Sequence, residues 1–160
     1  MYGNYRQAIC LVILILVSPH AISADDLSSS EPLSVDMSTW RLDAQGKNPQ
    51  KTDNAAPGEI LRYQVNYSNT SDNTLRGIQA LVPVPDNTVL LAIKTEKDLW
   101  ASLDGKLFST WPLKRKIKNS EGKIQEELVP LSDIRFVRWH IPQLAKKTSA
   151  VFHIDVKVVE

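Results

Sequence analysis

His140, His153 and Asp155 are the residues whose types could do chemistry. Two imidazoles and a carboxylate could contribute to a zinc site, which takes such donors as a tetrahedral set, provided the strands carrying them pair and share a face. A histidine could also serve as base to a weak nucleophile. That nucleophile would be a serine or threonine, because the single cysteine, Cys10, lies in a segment expected to be removed. No Gly-x-Ser-x-Gly elbow is present. Val137, Trp139 and Ile141 alternate with Arg138 and His140, and Phe152, Ile154, Val156 and Val158 alternate with His153, Asp155 and Lys157. A period of two sends successive side chains to opposite faces. The sequence therefore predicts solvated histidines, no catalytic residues, no metal and no cofactor. Three donors without motif spacing fall short of a zinc set, and no Asp-x-Asp-x-Asp loop is present for calcium.

Other groups could recognise rather than react. Lys114-Arg115-Lys116 with Lys118 could meet an anion or lipopolysaccharide, but Glu121, Glu126 and Glu127 follow in the same stretch and cancel the charge. A solvated hairpin arm turning at Glu121-Gly122 is expected. The tryptophans are Trp40, Trp100, Trp111 and Trp139. Trp139 is in phase with Val137 and Ile141 and is predicted to be core, with Tyr63 as its cross-core neighbour. Trp100 and Trp111 flank Asp104-Gly105, a dipeptide that signals a hairpin between apolar flanks. Exposed, Trp100, Trp111 and Trp40 would offer an interaction surface for sugar rings or a partner protein. For Trp100 and Trp111, burial beneath the hairpin is the alternative and is favoured.

These residues must be positioned by strands. Leu33, Val35 and Met37 alternate with polar residues, and a parity switch at Trp40 and Leu42 predicts a bulge. Gly46 to Gly58 is a loop. Leu61, Tyr63, Val65 and Tyr67 alternate with Arg62, Gln64 and Asn66, giving the clearest strand, which ends at six turn-forming residues from Asn69 to Thr74. Further strands are expected around Ile78–Val82, ended by Pro83 and Pro85, and over Val89–Thr95, Phe136–Ile141 and Val151–Val159. No long stretch has a capped helical period. The fold class is all-β, an immunoglobulin-like antiparallel sandwich of about seven to nine strands spanning residues 33–160.

The N-terminus carries a different signal. Arg6 precedes ten apolar residues, Ala8 to Val17; Pro19 follows, and Ile22-Ser23-Ala24 ends in a small residue. This is the pattern of a secretory signal peptide over residues 1–24; the apolar run is half the length of a membrane span. Residues 25–32 form an acidic, Ser-rich, flexible leader. Cleavage after Ala24 would remove Arg6, Cys10 and His20, leaving equal acidic and basic counts and no cysteine. An exported chain without cysteine points to a bacterial periplasmic or secreted protein with no membrane span after cleavage. Across the whole chain, 19 basic against 18 acidic residues leave no basic excess of the kind nucleic acid requires. Two glycosylation patterns, at Asn66 and Asn69, are read as chance occurrences of turn-forming residues.

Three blocks resemble the bacterial conserved repeat domain, catalogued as a domain of unknown function, number eleven. They are Pro57-Gly58-Glu59-Ile60-Leu61-Arg62-Tyr63-Gln64-Val65-Asn66-Tyr67-Ser68-Asn69-Thr70, then Val82 to Thr88, then Val137-Arg138-Trp139-His140-Ile141-Pro142-Gln143-Leu144 followed by Val151 to Val158. The likeness runs from about Leu33 to Val158. Where the family usually has Pro-Gly in its last turn, this chain has Ala145-Lys146-Lys147-Thr148. The resemblance implies an immunoglobulin-like sandwich on an envelope protein and no catalytic residues. The expected function is an exported, non-enzymatic module with a structural or protein-interaction role in the bacterial envelope, its partner an envelope protein or a glycan. Alternatives are a carbohydrate-binding module using its tryptophans, or a fimbrial or chaperone-like protein that exchanges the strand Asp25–Met37 with its partner; a small hydrolase ranks last.

Overall fold

Strict alternation between apolar and polar side chains leaves residues 60–69 one way to fold against a core, as a strand with one dry face. The computed structural model describes residues 31–159, and over this stretch it has the strand β3 (Ile60–Asn69). Leu61, Tyr63, Val65 and Tyr67 point inward, and Arg62, Gln64, Asn66 and Ser68 point outward. Burial pushes both Tyr63 and Tyr67 phenols above their ordinary pKa. The segment 1–24, expected to be a signal peptide, and most of the expected leader 25–32 lie outside the described residues.

The remaining strands are β1 (Leu33–Leu42), β2 (Gln50–Lys51), β4 (Leu75–Pro83), β5 (Thr88–Ile93), β6 (Leu99–Ser102), β7 (Ser109–Thr110), β8 (Lys114–Lys118), β9 (Ile124–Leu128), β10 (Phe136–Leu144) and β11 (Ser149–Val158). Among the described residues, one sheet has the order β2-β1-β3-β11-β5 and a second β4-β10-β6-β7, and every pairing is antiparallel. Their inner faces share one cluster of apolar side chains. This is the expected all-β sandwich, with its strand number inside the expected range. The third pair, β8-β9, stands apart as the expected hairpin arm. Asn119 closes its turn by accepting the Glu121 and Lys123 N–H groups.

Trp139 is the centre of the core, with no exposed surface. Its indole stacks on Phe152 of β11, centroids 4.8 Å apart, and its Nε1 donates to the Thr95 carbonyl at 2.6 Å. The ring stacked on the indole is that of Phe152, while Tyr63, the expected cross-core neighbour, belongs to the same apolar cluster. Phe152 and Tyr63 are both on the sheet facing Trp139, and alternation alone does not tell which of them lies beneath the indole.

Two local expectations need correction. The bulge predicted at Trp40 is absent: β1 pairs with β3 in unbroken register from Leu33–Asn69 to Leu42–Ile60. Trp40 lies opposite Arg62, on the outer face, and the parity switch comes without a bulge: at this end of β1 the apolar Trp40 and Leu42 share the outward positions, while Thr39 and Arg41 lie opposite the inward Tyr63 and Leu61. The bulge of this sheet is on β5, where the register with β11 shifts between Asp155 and Val156. The last turn works without Pro-Gly because Lys147 adopts a left-handed backbone, φ 54°, and the Thr148 hydroxyl closes onto the Ala145 carbonyl.

Asn69 ties the end of β3 to that turn. Its side chain, 2% exposed as a residue, donates to the carbonyls of Asn73, Leu144 and Ala145 and accepts from Ser71 N–H and Oγ. A buried amide with its hydrogen bonds satisfied in this way rigidifies the junction, and its burial removes Asn69 as a glycan acceptor in the folded chain.

Replacing Trp139 by alanine removes the stacked ring and orphans the Thr95 carbonyl. The expected loss is about 3–5 kcal/mol, as for other large aromatic truncations in cores, measured by urea unfolding. A loss below about 1 kcal/mol, the scale of an ordinary surface change, would contradict the strand phase of β10.

Candidate functional site

Alternation in β10 sends Phe136, Arg138 and His140 to the outer face of the four-stranded sheet, while Val137, Trp139 and Ile141 stay in the core. Pairing then fixes their neighbours. On one side, Leu81 lies opposite Arg138 and Gln79 opposite His140. On the other, Trp100 lies opposite Arg138 and Ser102 opposite Phe136. The sequence brings Asp104-Gly105 to the tip of the expected hairpin between β6 and β7. Ser102 Oγ accepts the Gly105 N–H, and Asp104 Oδ1 accepts the Lys106 and Leu107 N–H groups. These bonds, the Leu107 and Lys106 N–H foremost, hold the Asp104 carboxyl below its ordinary pKa.

That loop folds back over β10. Gly105, at φ 75°, lies so close to the Phe136 ring that an added Cβ would sit 2.9 Å from Cε2. Phe108 is brought under Arg138, whose guanidinium carbon is 4.2 Å from the ring centroid and 6.0 Å from that of Trp100. Trp100 meets His140 edge to face at 6.3 Å. Gln79, Trp100, Arg138 and His140 line a depression of about 280 Å³. Among the described residues Arg138 has no ion-pair partner.

The tryptophans expected to form an interaction surface are placed apart. Trp100 is part-buried on the outer face of the four-stranded sheet. Trp111 packs against the core. Trp40 lies on the outer face of the five-stranded sheet, its Nε1 donating to Ser38 Oγ. The face built around Trp100 depends instead on Arg138, Phe108 and Gln79, which the sequence did not single out. Alternation in β10 already placed Arg138 beside His140; the missing information was that β6 pairs with β10 across the intervening arm.

The histidines do not meet. β10 and β11 belong to different sheets, so His140 and His153 lie on opposite outer faces of the sandwich. The postulated His140, His153 and Asp155 cluster is not assembled, and no group of three or more metal-ligating side chains occurs among the described residues. His153 is also not a solvated histidine: it is part-buried, and its Nδ1 is enclosed without a hydrogen-bond partner. Beside it, Asp155 is 4% exposed and takes a bidentate pair from Arg62 at 2.7 and 2.9 Å, with Lys94 at 3.2 Å. The sequence put Asp155 on a polar face, but a carboxylate flanked by two cations there is covered by their side chains.

Among the described residues no helix is long and apolar enough to cross a membrane. No family model, curated protein or solved structure matches the chain.

Burial lowers the His153 pKa below 6.5, Arg62 and Lys94 push the same way, and Asp155 opposes them. The unfolded chain then holds the proton more tightly, so the stability contributed by neutral His153 is complete above about pH 6.5 and is lost as pH falls. For Asp155, burial pushes the carboxyl up, but hydrogen bonds and attraction from Arg62 and Lys94 outweigh it and the pKa ends below 3.8. Its contribution is present above that value and disappears as pH falls through the folded pKa. Melting temperature should thus decline in two stages on acidification. His153→Gln should flatten the stage below pH 6.5 and leave the lower one, as measured by calorimetry across pH; an unchanged upper stage would clear His153 of this role.

Proposed function

We propose that this chain is an exported, non-enzymatic β-sandwich module with a recognition role in the bacterial envelope, acting through the outer face of the four-stranded sheet. One observation carries this reading: Trp100, Arg138, His140 and Gln79 line one shallow depression, and Arg138, seated on the Phe108 ring, is a cation without an acidic partner among the described residues. Tryptophan and arginine are the side chains most enriched at binding hot spots. Aromatic rings that flank a guanidinium hold it in place, so less freedom is lost on binding.

A non-catalytic role is supported by the two histidines lying on opposite outer faces, where they cannot act together, and by the His153 Nδ1, which is enclosed without a hydrogen-bond partner and so is poorly placed to take a proton from a nucleophile. Export is supported by the basic start, apolar run and small-residue end of residues 1–24. An envelope setting is supported by the cysteine-free body and by the three blocks similar to the conserved repeat domain. Partners of this class are an envelope protein or a glycan.

Two outcomes are expected. N-terminal sequencing of the exported protein should give Asp25 as the first residue, whereas a retained Met1 segment would indicate an anchor. The immobilised protein should retain an envelope component that Trp100→Ala loses and Trp40→Ala keeps. Equal loss with both variants, or with neither, would remove the four-stranded face from the function.

A further inference from the structure

The depression on the four-stranded sheet differs in chemistry from an apolar protein hot spot. Three of its four lining side chains are polar, and those three are planar: the Gln79 amide, the Arg138 guanidinium and the His140 imidazole. The fourth is the Trp100 indole. Planar groups of this kind hydrogen-bond in their own plane, which suits the neighbouring hydroxyls and ring oxygen of a sugar. An indole presents a π-face that suits the C–H side of the same ring. At about 280 Å³ the depression has the capacity of a small ligand unit. Leu81, 45% exposed, lies opposite Arg138 on β4, and Leu103 and Leu107, 44% and 80% exposed, belong to the loop that carries Phe108; none of the three lines the depression.

Charge narrows the ligand further. With Phe108 against its flat side, the Arg138 guanidinium keeps its fork of donors in plane, the geometry that takes a carboxylate or phosphate through two parallel hydrogen bonds. No carboxylate lines the depression. Of the nearby acids, Asp104 accepts N–H groups of its own loop, and Asp98, whose main-chain carbonyl accepts the His140 main-chain N–H, keeps its side chain outside the lining.

We propose that this face binds an anionic sugar, with Arg138 taking the carboxylate or phosphate, Trp100 stacking on the ring, and Gln79 and His140 addressing its hydroxyls. The proposal rests on the reading of this face as the recognition surface and names the ligand it recognises.

The test is a titration of the protein by calorimetry with three probes: an oligogalacturonate for the carboxylate, a phosphomannan for the phosphate and an uncharged mannan. Binding of one or both anionic probes without the mannan is expected, weakening as salt is raised. Which anionic probe binds decides between the two groups. Arg138→Lys should weaken binding about tenfold, since a bidentate charge-assisted pair becomes a point contact, and Trp100→Ala should abolish it. Trp40→Ala, on the other sheet, should bind as the wild type does, and each variant's melting curve verifies folding. Equal binding of the mannan, or an anionic probe bound equally well by Arg138→Lys, would overturn the proposal. So would the absence of glycan binding alongside an envelope protein retained through Trp100, a result that leaves the recognition surface standing. If Trp100→Ala changes neither, both readings fall.

Discussion

The stacking of Trp139 on Phe152 is the contact on which the two sheets depend. It spans the interior from β10 to β11, and the Nε1 bond to Thr95 fixes the indole against the chain leaving β5. An indole in such a site cannot turn without losing either its stacking or its hydrogen bond. The phase of β10 is therefore fixed at one residue, and every other side chain of that strand follows. Val137 and Ile141 are forced inward; Phe136, Arg138 and His140 are forced out. The face proposed for recognition is thus a consequence of core packing, since a one-residue slip of β10 would bury Arg138 and expose Trp139.

The same alternation gives the two outer faces different chemistry. On the five-stranded sheet, the outward charged groups and hydroxyls find partners on neighbouring strands: Arg62 and Lys94 enclose Asp155, and Ser68 meets Ser149. Taking a carboxylate out of water is costly unless its partners are well placed, and the bidentate geometry supplies that placement. On the four-stranded sheet the cation is held by rings instead of by an acid, so its hydrogen-bonding capacity is left available. That difference, more than exposure, separates a structural polar face from one suited to binding.

Much of the fold was legible because period-two alternation is a physical signal carried by each strand alone. β3, β10 and β11 could be placed and phased from Tyr63, Trp139 and Ile154, and the arm from the opposed charges of Lys114–Lys118 and Glu126–Glu127. Pairing between distant strands carries no such local signature. Nothing near Trp100 says that it will lie beside Arg138, and nothing near His140 says that β11 will join the other sheet and carry His153 away. The tryptophans were hard to separate for the same reason: residue type marks Trp40, Trp100 and Trp111 as alike, while topology sends each to a different environment. Burial of Asp155 was hidden because an outward position was equated with contact with water.

The arm has an architectural consequence of its own. The chain leaves the body at Leu113 and returns at Val129, both buried, with the Val129 N–H bonded to the Leu113 carbonyl at 2.9 Å. Everything between is a two-stranded ribbon held by cross-strand hydrogen bonds and exposed ion pairs, tethered at its base by Arg115 to Asp133. At about 3.3 Å per residue, five-residue strands project it some 16 Å, roughly three helical turns' worth of reach. Because both ends of the neck are already joined, the sandwich has no stake in the ribbon's length. This makes the neck a natural splice point, where related chains can diverge and foreign peptide can be displayed, while the domain beneath stays folded.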